Sequence, residues 1–401
     1  MGLELTSEQI LLCHELKSWW KSKVNQIYVY SGKAGTGKTT VVKYFLQEIG
    51  LDYKNIICCA LSGKAVTVLS SHGLPAKTIH SLIYVPRMVD VLDENGNPIK
   101  KPNGETKKRL EFIKKAELDE DYKLIIVDEL SMVNDELMKD LMSYDIPIIG
   151  MGDLNQLPPI FGISSYMLKP NFFLTKIMRQ AENDPIVYLA NSVLEHRPLL
   201  EGRYGKSYIV RQMPLNDRLW LDYDITLCAR NSTRDVFNRG IRSQILGISS
   251  KEPVTGDRII CRQNSWDRQI NGMYLTNGTT GSIEDIDETK TTKSKLVIDF
   301  TPDFNTNESF INVDVDRKYI NSNWMERKET GLTTFLKFEY AYMITTHLSQ
   351  GSQYPSVLFV DEPFGGDRET QMKLRYTAIT RAMTQIVIVL STSFMNPWKY
   401  L

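Results

Sequence analysis

The chain has 401 residues, 42% of them hydrophobic and 24% charged, and its formal net charge is zero. This composition is typical of a folded protein with two or more domains, and it excludes a globally basic nucleic-acid binder, so any such surface must be local. Five scattered cysteines without a C-x-x-C pair, and only five histidines, argue against a zinc site and for a reducing compartment. The N-terminus has no leader-like pattern and no apolar stretch approaches the length of a membrane span, which predicts a cytoplasmic protein without a membrane partner.

A glycine-rich loop between a predicted strand and a predicted helix is the strongest motif of the sequence. The chain begins with a helix that Thr6 or Ser7 can cap and that extends to about Lys21. An apolar strand follows, and Gly32–Thr39 then reads Gly-Lys-Ala-Gly-Thr-Gly-Lys-Thr, the phosphate-binding pattern of Gly, four residues and Gly-Lys-Thr. Apolar residues at helical spacing after this loop predict a helix that stops at Gly50.

This phosphate-binding loop predicts an ATP site, with a glycine-rich turn that binds nothing as the weaker interpretation. Glycines let backbone N–H groups point at phosphate oxygens, the lysine can reach the β- and γ-phosphates, and the threonine hydroxyl that follows can ligate Mg²⁺. Gln9 lies shortly before the loop, and its carboxamide would suit the edge of adenine, although a lone glutamine there is more often a solvated residue. The predicted ATP-binding residues are Gln9, Gly32, Gly35, Thr36, Gly37, Lys38, Thr39 and Thr40.

Two further segments carry small and hydroxyl-bearing residues at strand ends. A predicted buried strand runs into Leu61–Ala65, and the segment Lys77–Leu82 follows a short helix. Such residues suit close backbone approach to a second polyanion, whereas ordinary strand-to-helix turns are the alternative. The candidate contact residues are Ser62, Gly63, Lys64, Thr78 and His80.

The segment from Pro86 to Lys115 changes character. It combines turn signals such as Asn103–Gly104 with seven basic residues between Lys100 and Lys115. We interpret it as a small inserted hairpin with a basic side, which is either a solvated face or a surface that contacts phosphates.

An acidic pair follows the next predicted strand. Leu124–Val127 is wholly apolar, as expected inside a parallel sheet, and Asp128 and Glu129 come directly after it. In a phosphate-loop protein the first carboxylate holds Mg²⁺, usually through water, and the second polarises the attacking water. A structural strand-end turn is the weaker alternative.

Two more polar residues follow in this half of the chain. A strand at Ile146–Asp153 continues into Gln156, whose amide could sense a γ-phosphate or orient the water. Arg179 lies on the short segment Leu174–Gln180 and, taken alone, would be a surface residue.

The α/β pattern restarts at Asp184 and is interrupted once. Val254–Phe338 is β-rich with many turns, which predicts an inserted small barrel. The pattern returns at Glu339, where Thr346, His347 and Gln350 precede a buried strand, and a helix predicted from Lys373 to Met383 carries Arg381. His347, taken alone, would be a structural histidine.

The ordered set of motifs resembles the superfamily 1 helicases of the RecD-like branch along nearly the whole chain. Thr6–Gln9 resembles their adenine-reading motif, Gly32–Thr40 motif I and Val127–Met132 motif II. Gly150–Pro159, with Gly-Asp-x-x-Gln-Leu-Pro-Pro, is a specific match to motif III. Leu174–Gln180 resembles motif IV, and Tyr376–Ala382, Tyr-Thr-Ala-Ile-Thr-Arg-Ala, is a close match to motif VI.

This resemblance implies an α/β fold of two tandem RecA-like P-loop domains with parallel sheets. The implied division is 1–83 and 122–180 for the first RecA-like domain, 84–121 for a hairpin that acts as a strand-separating pin, 181–253 and 339–401 for the second RecA-like domain, and 254–338 for an SH3-like β-barrel. It implies catalytic roles for Lys38, Glu129, Gln156, Arg179 and Arg381, and Mg²⁺ binding by Thr39 and Asp128. It also implies nucleic-acid contacts from Ser62, Gly63, Lys64, Thr78, His80, Thr346, His347 and Gln350.

The implied activity is that of an ATP-dependent DNA helicase that moves on single-stranded DNA, 5′-to-3′, and unwinds duplex. Two alternatives stay open: an ATP-gated single-stranded nucleic-acid binding or remodelling protein without processive unwinding, and an RNA helicase. The expected cofactors are ATP and Mg²⁺. The expected partners are single-stranded and forked DNA, with a single-strand binding protein or replication or recombination proteins as candidates. We expect a monomer, and the compact size suggests a phage origin.

Overall fold

The computed structural model describes residues 5–91, 96–100, 106, 108–158, 164–176, 184–213, 218–271, 273–329 and 333–390. Its first half contains eight strands and six helices within the described residues. In chain order they are α1 (Ser7–Ser22), β1 (Ile27–Gly32), α2 (Lys38–Ile49), β2 (Ile56–Ala60), α3 (Gly63–Ser71), β3 (Ala76–Thr78), α4 (Ile79–Ile83), β4 (Tyr84–Asp90), β5 (Lys108–Lys114), β6 (Leu124–Val127), α5 (Asp135–Met142), β7 (Ile148–Gly152), α6 (Ser165–Leu168) and β8 (Phe172–Leu174).

Six of these strands form one parallel sheet in the order β3-β2-β6-β7-β1-β8. The central strands are apolar throughout because helices cover both faces. On one face Tyr30 and Ile126 pack with Phe45 of α2, and on the other face Val29 and Val127 pack against α4 and α5. Since all six strands run in one direction, their carboxyl ends meet at one edge of the sheet, where the polar motifs follow.

The strands β4 and β5 leave this sheet as a separate antiparallel pair. They are paired along their whole length, from Tyr84 with Lys114 to Asp90 with Lys108. They occupy the segment where the sequence predicts an inserted hairpin. At the base of the pair the rings of Tyr84 and Phe112 make an edge-on contact with centroids 6.4 Å apart.

The second half builds a second parallel sheet and a β-rich insertion. Its elements are α7 (Pro185–Leu194), β9 (Gly202–Tyr204), β10 (Ser207–Val210), β11 (Ile225–Cys228), α8 (Asn231–Gly240), β12 (Arg258–Cys261), β13 (Ser265–Ile270), β14 (Met273–Leu275), β15 (Thr280–Ile286), β16 (Lys295–Pro302), β17 (Phe310–Asp316), α9 (Arg317–Asn321), β18 (Phe338–Tyr340), β19 (Met343–Thr345), β20 (Tyr354–Asp361), α10 (Arg368–Ile379) and β21 (Ala382–Leu390).

The second sheet has the order β19-β11-β20-β21-β10-β9, and only the edge strand β9 is antiparallel. Its apolar strands again alternate between two buried faces. Phe359 and Ile388 pack with α7 and α10, whereas Leu358 and Val387 pack toward α8 and the insertion.

The insertion between β12 and β18 is a five-stranded antiparallel sheet in the order β17-β16-β15-β12-β18, accompanied by the β13–β14 pair. Leu336, just before β18, exchanges backbone hydrogen bonds with β17, so the two edges of the sheet meet. Inside lie Phe300, Phe310 and Phe338. The strands explain the predicted β texture of this segment.

A buried charge network ties this insertion to α8. Arg234 contacts Glu339 at 2.6 Å and Asp235 at 3.0 Å, and Arg327 contacts Asp235 at 3.2 Å. Burial acts to raise the pKa of Glu339, but Arg234, Arg262 and Arg327 outweigh it and hold that pKa below its usual value. Because each charge has a partner, the network orients the insertion on the second sheet.

The last helix differs from its prediction. We expected a helix from Lys373 to Met383, but α10 begins at Arg368, where Asp367 caps it, and ends at Ile379. The chain then enters β21, which pairs with β20 from Ala382 onward. Arg381 therefore lies in the turn between helix and strand, and not on the helix. Within the described residues, no helix combines the length and the apolar character needed to cross a membrane.

Candidate functional site

The carboxyl edge of the first sheet faces the second sheet across a cavity of about 560 Å³, here called the P-loop cavity. Both halves of the chain contribute to its walls. Among its lining residues are nine that the sequence singles out: Gly35, Gly37, Lys38, Thr39, Thr40, Asp128, Glu129, Gln156 and Arg381. Lys43, His72, Asp184, Gln353 and Thr380 also line it and were not predicted, although Thr380 lies in the motif VI segment beside Arg381.

The phosphate-binding loop has the geometry that its glycines require. Gly35 and Gly37 have φ angles of 80° and 75°, a conformation that other residues rarely adopt. A Cβ on Gly32 would lie 2.5 Å from Thr36 Oγ1, so only glycine fits there. The side chain of Lys38 folds back, and its Nζ donates to the Gly32 carbonyl at 2.8 Å. Gly37 provides no side-chain cap for α2, which leaves first-turn N–H groups able to bind an anion.

The acidic pair lies beneath this loop. Asp128 and Glu129 follow β6, and Glu129 has a left-handed backbone with φ of 52°. Burial and the neighbouring Glu129 raise the pKa of Asp128 to about 7, while Lys38 acts in the opposite direction. The buried Glu129 Oε2 has no hydrogen-bond partner among the described residues. An unsatisfied buried carboxylate oxygen needs a cation, a water or a substrate atom.

Gln156 and Arg381 complete the walls from opposite sides. Gln156 comes from the loop after β7, is 6% exposed, and its Oε1 likewise has no partner within the described part of the chain. Arg381 comes from the second sheet and is 1% exposed. Its guanidinium donates to the Thr377 and Ser352 carbonyls at 3.1 Å each. Arg381 thus lines the cavity with a positively charged side chain whose hydrogen-bond acceptors are formally neutral carbonyl groups.

Three of the predicted ATP-binding residues, Gln9, Gly32 and Thr36, are not among the described residues that line the cavity. Gln9 is fully buried, and both ends of its carboxamide are occupied: Oε1 accepts from the Thr6 N–H, and Nε2 donates to the Thr36 carbonyl at 2.9 Å. In this structure Gln9 supports the phosphate-binding loop and does not line the cavity. Arg179 lies outside the described residues.

A second cavity of about 450 Å³, here called the polar cavity, lies on another side of the same junction. It brings together Ser62, Gly63, Thr78 and His80 from the first half with His347 and Gln350 from the second. Burial lowers the pKa of both His80 and His347, which keeps these imidazoles neutral near pH 7.

The remaining predicted contact residues differ in their positions. Thr346 is fully buried, and its hydroxyl donates to the Cys228 carbonyl, so it supports the wall of the polar cavity without lining it. Lys64 lies in the first turn of α3, next to the cavity-lining Gly63.

The third wall of the polar cavity comes from the β-rich insertion and was not predicted from the sequence. It consists of Asn264 and the turn Thr276–Thr279, where Asn264 Oδ1 accepts from the Asn277 N–H at 2.8 Å. The only sequence signal was Asn277–Gly278, which marks a turn but not its destination. Tyr84, at the base of the hairpin, and Glu136 also line this cavity.

The two cavities are joined through the backbone of one residue, Leu157. Leu157 directly follows Gln156, and its N–H donates to Thr377 Oγ1 at 2.9 Å. Its carbonyl accepts from Gln350 Nε2 at 2.8 Å. Gln350, which lines the polar cavity, therefore holds Leu157, the residue next to Gln156 of the P-loop cavity.

Comparison with protein families finds two matches. The family described as "AAA domain" matches residues 20–162, and the family described as "UvrD-like helicase C-terminal domain" matches residues 340–389. The first match spans the phosphate-binding loop and the acidic pair, and the second spans the segment that contains Gln350 and Arg381.

Two relatives of known name share this sequence pattern. The ATP-dependent RecD2 DNA helicase of Deinococcus radiodurans is 26% identical over 399 residues, covering 89% of this chain and 46% of that protein. The ATP-dependent DNA helicase dda of Enterobacteria phage T4 is 30% identical over 187 residues, covering 43% of this chain and 38% of that protein. The chain thus spans less than half the length of these relatives.

Solved structures show the same fold. A structure described as "Structural Basis for DNA Unwinding at Forked dsDNA by two coordinating Pif1 helicases" has a TM-score of 0.54 with 19% identity, over 98% of this chain and 93% of that one. Bacteroides Pif1 bound to ssDNA also has a TM-score of 0.54, with 18% identity over 98% and 93% of the two chains.

The fold and site define a P-loop protein of two parallel-sheet units whose facing edges enclose a nucleotide-type cavity. Among such proteins the chain resembles the superfamily 1 helicases of the RecD-like branch, as its motifs predicted, and the RecD2 and dda helicases are among its relatives.

Proposed function

We propose that this protein is an ATP-dependent DNA helicase that moves along single-stranded DNA and unwinds duplex. The observation that carries the proposal is the shared junction: residues of both halves of the chain line both cavities, and the backbone of Leu157 joins them. A change of domain contact at one cavity therefore has a direct route to the other. The names of the RecD2 and dda relatives support DNA as the substrate.

Each candidate residue of the P-loop cavity would have its own task in ATP hydrolysis. Lys38 would exchange the Gly32 carbonyl for the β- and γ-phosphates. Glu129, with its unpartnered Oε2, would accept a proton from the attacking water, and Gln156 would orient that water. Arg381, and Arg179 by resemblance, would supply positive charge as the transition state forms. Gly32, Gly35, Thr36, Gly37 and Thr40 would shape the phosphate site, and Gln9 would read adenine only after releasing Thr36.

The residues present also fit Mg²⁺. Asp128 carries a raised pKa beside a second carboxylate, an arrangement that a divalent cation would relieve. Asp128 and the Thr39 hydroxyl would hold the ion. Mg²⁺ would neutralise phosphate charge when bound.

The polar cavity would hold single-stranded DNA. Ser62, Gly63, Lys64, Thr78, His80, Thr346, His347 and Gln350 are the predicted contact set, with Asn264 and Thr276–Thr279 added by the structure. Hydroxyl and amide groups suit sugar–phosphate contacts that do not depend on base sequence. The β4–β5 pair would separate the strands, and the insertion would be the SH3-like barrel of this family.

The domain division proposed from the sequence, the 5′-to-3′ direction, the monomeric state and forked DNA as partner form part of the same proposal. A single-strand binding protein, or replication or recombination proteins, would be partners in the cell, with phage origin and a cytoplasmic location as the expected setting.

The test is ATP hydrolysis with and without single-stranded DNA, in the wild type, Lys38→Ala and Lys54→Ala. Lys54 is an exposed lysine paired with Asp52, and its variant controls for the loss of a charge. We expect strong stimulation by DNA and loss of hydrolysis in Lys38→Ala alone. ATP hydrolysis that requires Lys38 but is not stimulated by nucleic acid would refute the proposal that the protein moves along DNA.

Forked substrates then separate the remaining alternatives. Displacement of a strand from a fork with a 5′ tail, but not a 3′ tail, supports an unwinding motor of the proposed direction. DNA-stimulated hydrolysis without displacement would instead indicate an ATP-gated binding protein. Stronger stimulation by RNA than by DNA would indicate an RNA helicase.

A further inference from the structure

A tyrosine from the second sheet reaches into the phosphate-binding loop of the first. Tyr376 lies on α10 and is fully buried, and its hydroxyl is 2.9 Å from the Ala34 backbone nitrogen. The same hydroxyl is 2.6 Å from Oδ2 of Asp153, which follows β7 and is also fully buried. Three segments that are far apart in sequence thus meet at one oxygen atom.

The direction of each hydrogen bond is determined by the atoms present. The Ala34 N–H can only donate, and a tyrosine hydroxyl has a single proton. That proton must therefore go to Asp153, which leaves a lone pair of the hydroxyl for Ala34. Burial and Asp153 raise the pKa of Tyr376 well above its usual value, so the hydroxyl keeps its proton.

Asp153 is itself held in place. Its Oδ1 accepts from both the backbone N–H and the side-chain amide of Asn155, at 3.0 and 2.9 Å. Its Oδ2 is then presented to Tyr376. Asp153 therefore acts as an orienting group for the tyrosine hydroxyl, and it lies in the same loop as Gln156, three residues before it.

We propose that Tyr376 is a positioning residue that, oriented by Asp153, holds the middle of the phosphate-binding loop when the two sheets are docked. The proposal rests on the proposed ATPase function and adds a second link between the sheets, separate from Arg381. Arg381 would act on the phosphates directly, whereas Tyr376 acts through the Ala34 backbone. Domain closure would then shape the loop as well as complete the charge around the substrate.

The first measurement does not depend on activity. Amide hydrogen exchange of the loop peptide that contains Ala34 is compared in wild type, Tyr376→Phe and Tyr342→Phe. Tyr342 is the matched control, because its buried hydroxyl donates to the buried Asp257 at 2.7 Å and lies in neither cavity. We expect faster exchange of the loop in Tyr376→Phe alone. Unchanged loop exchange in Tyr376→Phe would overturn the proposal.

The second measurement is steady-state ATP hydrolysis with and without single-stranded DNA. We expect Tyr376→Phe to lower the DNA-stimulated kcat about tenfold, the size of one well-placed hydrogen bond, with a much smaller change in KM for ATP. Tyr342→Phe lowers the melting temperature without changing the ratio of stimulated to unstimulated hydrolysis. Equal losses in both variants would reduce Tyr376 to a packing role and refute the proposal.

Asp153→Asn tests the orientation itself. An amide at Oδ2 would donate to the tyrosine, so the hydroxyl proton would turn toward the Ala34 N–H and break that bond. We expect Asp153→Asn and Tyr376→Phe to lower the DNA-stimulated kcat by similar factors. The double variant should lower it little further. Losses of kcat that add in the double variant would contradict a shared path from Asp153 through Tyr376 to Ala34. If wild type hydrolyses no ATP, the proposed function fails, while the exchange experiment still decides the role of Tyr376.

Discussion

The P-loop cavity and the polar cavity lie at the same junction between two sheets, yet they are built from opposite chemistry. The P-loop cavity concentrates formal charge: its described lining includes three carboxylates and four cations, namely Asp128, Glu129, Asp184, Lys33, Lys38, Lys43 and Arg381. Buried oxygens of Glu129 and Gln156 there lack hydrogen-bond partners within the described residues. The described residues that line the polar cavity include neither lysine nor arginine, and offer hydroxyls, amides and two imidazoles whose pKa values are lowered.

This difference fits the tasks we propose for the two cavities. A transition state that develops charge on a phosphoryl group needs fixed charges in a site shielded from water, where they are worth most. A strand that must be gripped and released many times needs contacts that are individually weak, and neutral hydrogen bonds meet that need. The comparison predicts that substitution of a single charged residue in the P-loop cavity has a large effect on kcat. Substitutions in the polar cavity should have small, graded effects on DNA affinity.

The largest expected effect is the removal of Arg381. Arg381→Ala should lower DNA-stimulated kcat by about a thousandfold, at the lower end of what a transition-state arginine contributes. Arg375→Ala is the control, since Arg375 lies on the preceding helix, is partly exposed and pairs with Asp361 at 2.9 Å. Steady-state hydrolysis and thermal melting are measured together. A kcat loss of tenfold or less in a folded Arg381→Ala protein would contradict the charge-based account of this cavity.

Glu129→Gln should have the next largest effect. An amide keeps the size of the side chain but cannot accept the proton of the attacking water, so kcat should fall by about a hundredfold or more. Binding of a fluorescent ATP analogue should persist, because the phosphate-binding loop is intact. Glu117→Gln, at an exposed position, is the control. Retained turnover in Glu129→Gln would mean that another residue is the base.

The sequence was sufficient to bring Glu129, but not Arg381, together with the other candidate residues of the P-loop cavity. Lys38, Asp128 and Gln156 each follow an apolar strand of one parallel sheet, and the carboxyl ends of such strands must share an edge. Local patterns of strand, loop and helix therefore predicted the polar residues that follow the strands of the first sheet. Arg381 was predicted to join them by resemblance, since nothing local shows which edges of two separate sheets face each other.

The polar cavity shows where sequence reasoning fails. Asn264 and Thr276–Thr279 belong to an insertion whose orientation depends on tertiary contacts such as Arg234 with Glu339. No local pattern encodes that orientation. Gln9 illustrates a second limit, because its motif predicts a carboxamide near adenine, while the capping box and the Thr36 carbonyl use both ends of that carboxamide in this structure. The end of α10 at Ile379 was missed because the β21 pairing overrides a sequence that could continue as a helix.

A positive charge added to the polar cavity should moderately increase its affinity for single-stranded DNA. Asn277 is exposed at the wall from the insertion, and Asn277→Lys would place a cation there. We expect several-fold tighter binding of single-stranded DNA, with the slope of log K against log salt steeper by about 0.7 for one added phosphate contact. Thr306→Lys, on an exposed turn outside both cavities, should leave the slope unchanged. Equal slopes in the two variants would remove the polar cavity from the DNA path.

The smallest expected effect concerns pH and the two imidazoles. Because burial lowers the pKa of His80 and His347 in the folded protein, the unfolded chain binds more protons below about pH 6.5, and the folded state loses stability as pH falls from that value. The loss cannot exceed about 1.4 kcal/mol per pH unit for each histidine. Thermal melting between pH 7.5 and 5.5 should therefore show a flatter profile in a His80→Asn, His347→Asn double variant than in wild type.

The same protonation has an opposite consequence for the proposed ligand. Charged imidazoles in the polar cavity would attract phosphates, and Glu136, which lines the same cavity, would partly offset them. In wild type the affinity for single-stranded DNA should then increase as pH falls, because bound phosphate raises the pKa of these histidines toward their usual value. Over the same range the free protein becomes less stable. In the double variant the affinity should not vary with pH over this range. A wild-type affinity that is equally flat would show that the strand passes elsewhere, and that the two cavities do not divide the work as their chemistry suggests.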